Sequence, residues 1–192
     1  PNNQTTRTFH CDGPGAVTVT LNVTDSEDLW DTVTKQIEQL LPLIPQLIII
    51  NQSQTWYGDF IVNDTDDVRI QGVQFTVEGG TIQVYGNLTI IDSKIIVYAP
   101  PEDGIVVWNV TLYPQIRVYE YGNLTVMTSK ILNEFIALYD SSTAKIYWSE
   151  IYGLIPRDNS IAKVGSSEIW YIYASNSSRT TILGSDLWYV HT

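Results

Sequence analysis

"YGNLTIIDSKI" occupies Tyr85–Ile95, and "YGNLTVMTSKI" occupies Tyr121–Ile131, thirty-six residues further on. Self-similarity at a fixed period is the signature of a repeat architecture. The smallest conserved word inside the repeat is serine, a charged residue, then isoleucine or leucine. It recurs as Ser93-Lys94-Ile95, Ser129-Lys130-Ile131, Ser149-Glu150-Ile151, Ser167-Glu168-Ile169 and Ser185-Asp186-Leu187. The spacings are 36, 20, 18 and 18 residues. Thirty-six is two eighteens, so an intermediate copy is expected near 106–116, where "VVWNVTLYPQI" keeps the apolar strands but not the word. "VRIQGVQF" at 68–75 reads as an earlier, degenerate copy.

Before each word the chain alternates apolar and polar residues: Leu88-Thr89-Ile90, Leu124-Thr125-Val126, Ala144-Lys145-Ile146 and Ala162-Lys163-Val164. That is the period of a strand with one face buried. Units of about eighteen residues leave no room for crossover helices, so the repeat predicts an all-β solenoid whose turns stack with equivalent residues in columns. An antiparallel meander would need tight two-residue turns between strands, and only "EDG" at 102–104 resembles one. Hairpins also give no reason for the serine word to recur in phase.

Composition narrows the class of function. Charged residues are 16% of the chain, against about 25% in ordinary soluble domains, and the net charge is -11. A field of that sign repels phosphate backbones and excludes nucleic acid as the natural partner. No stretch approaches the roughly 18 apolar residues of a membrane span. The single Cys11 cannot form an internal disulfide. Eight of the eleven asparagines lie in Asn-x-Ser/Thr acceptor sites: Asn3, Asn22, Asn51, Asn63, Asn87, Asn109, Asn123 and Asn176. Chance would place roughly two, so the density predicts a secreted chain, extracellular or on a cell surface, carrying covalent N-glycans. The chain opens without a methionine or a leader-like segment, as a processed or trimmed product would.

Residues 25–41 predict a helix. "SEDLWDTVTKQIEQ" at 26–39 begins with a serine cap and first-turn acids, and Leu29, Val33, Ile37, Leu40 and Leu41 follow helical spacing. An amphipathic helix, then "LIIINQSQTWYGDFIV" at 47–62 and "DDVRIQGVQF" at 66–75, resembles the opening of pectin-lyase-like right-handed parallel β-helices. The later "LTIIDSKI" and "LTVMTSKI" are similar to rungs of that superfamily. The resemblance implies a right-handed coil over 47–192, capped at 25–41, within a domain spanning 25–192. It covers many functions and carries no activity across. The overall profile, with many acceptor sites, few charges, one Cys and one Met, is also similar to cell-surface and filament proteins of thermophilic archaea.

No catalytic residues, cofactor or metal set emerges. Asp64, Asp66 and Asp67 in "NDTDD" offer oxygens suited to calcium, but short acidic turns are commonly just solvated. Glu150, Glu168 and Asp186 are expected to stack on consecutive turns, while Lys94 and Lys130 are expected to be separated by a whole intervening rung. Adjacent Trp170-Tyr171 and Trp188-Tyr189 predict one outward aromatic per turn, suited to an interaction surface or to sugar rings. Residues 1–24 form an extension in which Val17, Val19, Leu21 and Val23 alternate with polar residues and have no evident partner in the chain. Joined to Leu187, Trp188, Tyr189 and Val190 of the last turn, they predict a head-to-tail homopolymer. The expected function is thus a non-enzymatic structural subunit. A carbohydrate-binding or polysaccharide-cleaving coil, or a viral spike or coat component, are the alternatives.

Overall fold

In a computed structural model, the residues described are 16–24, 30–38, 46–100, 104–107 and 110–191. The chain divides into two compact units, Pro1–Ile44 and Pro45–Thr192. The first contains β1 (Ala16–Thr24) and β2 (Trp30–Glu38), paired antiparallel from Ala16↔Glu38 to Thr24↔Trp30.

Two expectations are corrected here. Residues 30–38 form a strand rather than the helix expected across 25–41, and the rest of that helix lies outside the described residues. Thr32, Val33, Thr34 and Ile37 are β-branched, which favours extended backbone and cross-strand packing over a helical stripe. The alternating strand at Val17–Val23 also has a partner within its own chain.

The second unit is a parallel β-solenoid of about seven turns. Its first wall holds β3 (Gln46–Ile50), β6 (Asp66–Gln71), β9 (Asn87–Ile91), β14 (Asn123–Met127), β16 (Thr143–Tyr147), β18 (Ile161–Gly165) and β20 (Arg179–Leu183), in that spatial order. Its second wall holds β4 (Gln54–Tyr57), β7 (Gln74–Glu78), β10 (Lys94–Tyr98), β15 (Lys130–Leu138), β17 (Glu150–Pro156), β19 (Glu168–Tyr173) and β21 (Asp186–His191). A third side begins with β5 (Phe60–Val62), β8 (Ile82–Val84) and β13 (Pro114–Val118) and continues into the C-terminal halves of β15 and β17.

Inward positions stack turn on turn. Val68, Leu88, Leu124, Ala144 and Ala162 form one buried column, and Ile70, Ile90, Val126, Ile146 and Val164 another. Phe75, Ile95, Ile131, Ile151 and Ile169 form a third, and Phe60, Ile82, Ile116, Ile136, Leu154 and Ile172 a fourth. The alternation read in the sequence is therefore the inner and outer face of each turn.

The corner between the first and second walls explains the repeated word. The residue before each serine adopts a left-handed backbone: Gly72 before Val73 in the degenerate copy, then Asp92, Thr128, Trp148, Ser166 and Gly184. Each serine then turns its Oγ back to the carbonyl two residues earlier, as Ser149 does to Tyr147 at 2.7 Å. That same Oγ accepts the backbone N–H of the preceding turn's serine, at 3.1–3.2 Å from Ser93 to Ser185. Val73 begins the ladder by donating to Ser93 at 3.3 Å.

The thirty-six-residue spacing is one turn, not two. Lys94 pairs directly with Lys130 and Asn87 with Asn123, so no rung separates them. The extra residues leave the wall as an excursion containing β11 (Ile105–Val107) and β12 (Val110–Leu112), which pair antiparallel. The expected copy at 106–116 is thus this hairpin followed by β13. The hairpin's pairs run from Ile105↔Leu112 to Val107↔Val110.

Candidate functional site

Three surface features gather polar and aromatic side chains. The first is the outer column next to the serine corner: Gln74, Lys94, Lys130, Glu150, Glu168 and Asp186, one per turn. The three acids stack as expected. Lys130 closes the gap between the signs with a 2.6 Å ion pair to Glu150. That contact raises the Lys130 pKa, the hydrogen bond to Glu150 contributing most. Lys94 has no ion-pair partner among the described residues.

The second feature is aromatic. Trp170 stacks on Trp188 with ring centroids 5.3 Å apart and planes 17° from parallel, and Tyr152 stacks on Trp170 at 6.5 Å. Both members of each Trp-Tyr pair lie on the outer side, because the wall turns a corner there: Ile169 and Ile172 are buried on either side of Trp170 and Tyr171. One outward residue per pair had been expected. Phe135 fills the bend and lies edge-on to Tyr152. Gly153 gives it room, since a Cβ there would lie 2.2 Å from the Phe135 ring. Because the tryptophans stack along the coil axis, their faces meet one another and their edges point outward.

A second aromatic stack was missed in the sequence. Tyr85, Tyr119 and Tyr139 stack at 5.1 and 5.0 Å on successive turns, and the Arg157 guanidinium sits 5.8 Å from the Tyr139 centroid. Burial raises the Tyr85 pKa, reinforced by Tyr119 and Glu120. The sequence alignment equates Tyr85 with Tyr121, which is instead exposed. The later corner is two residues longer, and that moves Tyr119 into the stack. The spacing of 20 between Tyr119 and Tyr139 was the available signal.

The third feature is a groove holding about 860 Å³ of space where the wall is interrupted. Strand β15 pairs with β10 only at Lys130 and Ile131, and rejoins the wall at Phe135 against Pro114. Between these points Leu132–Glu134 bulge away from the ladder. Glu134 is 5% exposed, and its Oε1 accepts the Val97 N–H at 3.3 Å, replacing a lost strand partner. Gln115 does the same for the Phe135 N–H at 3.1 Å. Burial pushes the Glu134 carboxyl up to about 8, opposed only partly by the Val97 hydrogen bond. Lys94, Ile96, Tyr98, Pro100 and Leu132 also line the groove.

Of the acceptor asparagines, Asn51, Asn63, Asn87, Asn123 and Asn176 are exposed. Asn22 lies in β1, and Asn3 and Asn109 lie outside the described residues, as does Cys11. The Asn63 backbone N–H and side-chain amide both donate to Asp66 Oδ2, so that carboxylate serves the turn. Asn176 donates to Asp158 at 2.9 Å. Among the described residues no group of three metal-ligating side chains forms, and no helix is long and apolar enough to cross a membrane.

No protein-family model, curated protein or solved structure matches this chain.

Proposed function

We propose that this chain is a secreted, N-glycosylated structural subunit that stacks end to end into an extracellular filament or surface array, without catalytic activity. The observation that carries this reading is the pair of edges at the two ends of the solenoid. Among the described residues, the first and last strands of each of the two long walls lack a partner on their outer side: β3 and β20 in one, β4 and β21 in the other. Leu183, Trp188, Tyr189 and Val190 are 69, 68, 49 and 48% exposed on the last turn, and Leu47 and Ile49 are 54 and 52% exposed on the first. Unpaired edges of this kind template further strands. A parallel coil presents opposite edges at its two ends, so copies joined there repeat in one direction without closing.

The antiparallel hairpin changes one detail of the expected contact. Val17, Val19, Leu21 and Val23 would enter it as half of a two-stranded ribbon rather than as a lone donated strand. The right hand of the coil, and membership of the pectin-lyase-like group, remain part of this proposal and rest on the sequence resemblance alone.

A sugar-binding row is disfavoured by the tryptophan geometry. Flat stacking on a sugar needs open ring faces, and Trp170 already stacks with both Tyr152 and Trp188.

Negative-stain electron microscopy of the full chain, beside a chain lacking residues 1–24 and a Leu183→Lys/Val190→Lys variant, tests the reading. Long particles from the full chain that are lost in the edge variant are expected. Monodisperse particles from all three would overturn it, and the deletion separately reports whether the hairpin takes part.

A further inference from the structure

The groove beside Glu134 is not needed for end-to-end assembly, and its chemistry points elsewhere. Its polar groups are donors left over after the wall has been repaired. Gln115 uses its Oε1 on the Phe135 N–H, which leaves its NH2 group to donate. Glu134 uses one oxygen on the Val97 N–H, and its other oxygen has no partner among the described residues. Held mostly protonated at neutral pH by burial, that carboxyl also donates.

Lys94 supplies the charge. It is exposed, lines the groove, pairs in register with Lys130, and has no ion-pair partner among the described residues. Lys130 has Glu150, so the unbalanced positive charge of this column rests at Lys94. In a chain of net charge -11, a local excess of donors and positive charge in a concave site is a selective feature. The remaining walls, Ile96, Tyr98, Pro100 and Leu132, are mainly apolar. A volume of about 860 Å³ with apolar walls and a few convergent polar groups is the usual make-up of a small-molecule site.

We propose that this groove binds an organic carboxylate with an apolar body, its carboxylate held by Lys94 and the Gln115 amide and its body lying along Tyr98, Pro100 and Leu132. Glu134 has two parts in this site. It closes the bulge by holding Val97, and its second oxygen offers a hydrogen bond to the ligand.

The test uses the full chain, with 4-phenylbutanoate as the probe and 4-phenylbutanamide as its uncharged match. Binding is followed by the backbone amide resonance of Val97 and the side-chain amide of Gln115. The carboxylate is expected to shift both resonances and to bind at least about tenfold more tightly than the amide, because hydrogen bonds to charged groups are the stronger ones. Lys94→Met is expected to weaken carboxylate binding by at least about tenfold while leaving the melting temperature unchanged. Lys145→Met, on the first wall, is expected to change neither. Equal binding of the two probes, undiminished binding by Lys94→Met, or no shift of either resonance up to the solubility limit would overturn the proposal.

Discussion

The Oγ of Ser149 accepts the backbone N–H of Ser129 at 3.2 Å across one turn of the coil, while donating to Tyr147 of its own turn at 2.7 Å. One hydroxyl thus satisfies a donor in one turn and an acceptor in the next. Both serines are buried, so no water replaces a lost partner. Ser149→Ala orphans the Ser129 N–H and is expected to cost about 1–3 kcal/mol, read from the urea midpoint. Ser185→Ala, on the more exposed last turn, is expected to cost less. Equal effects at both positions would show that burial does not set the value of the ladder.

Gly153→Ala places a methyl group 2.2 Å from Cδ1 of Phe135. Overpacking of this kind costs about 1–3 kcal/mol. Adding Phe135→Leu is expected to recover part of the loss. A double variant no more stable than Gly153→Ala would put the strain somewhere other than that ring.

Glu134 makes stability depend on pH with a defined sign. Its folded pKa is raised from 4.5 to about 8, so the folded chain holds this proton more tightly than the unfolded chain. The contribution of this group is full below about pH 4.5 and is lost as the pH rises through about 8, on the order of a few kcal/mol. Urea midpoints of the native chain between pH 4 and 9, beside those of Glu134→Gln, isolate the effect. The glutamine keeps an acceptor for Val97 without a titrating proton, so the difference between the two curves should shrink to nothing at low pH.

Ser166 holds a φ of 50°, in the column where Gly72 and Gly184 also stand. Non-glycine residues are strained there, and Ser166→Gly is expected to raise stability by up to about 1 kcal/mol. Its side chain is exposed, so little packing is lost. A lower melting temperature in the variant would mean that the serine hydroxyl contributes more than its backbone costs.

The serine word and the apolar alternation were legible because a solenoid writes the same environment into each turn. Ile95, Ile131, Ile151 and Ile169 repeat because all four fill one column. What was misread arose where length, not residue type, varied. The excursion between Tyr98 and Pro114 made one turn as long as two, and period alone cannot tell an insertion from a degenerate rung. Residues 30–38 satisfy helical and strand patterns together, and pairing with Ala16–Thr24 is a longer-range fact than either pattern. Glu134 gave no local signal at all. Its burial follows from a bulge that depends on where β10 stops pairing, thirty-odd residues earlier in the chain.

The parallel registers have a mechanical consequence. Hydrogen bonds between turns run along the coil axis, so tension on that axis loads the turns in series and opens them one at a time. Each 18-residue turn pulled free yields about 60 Å of extended chain. A fibre of such coils would lengthen in discrete steps, dissipating work at each, before any covalent link carried the load.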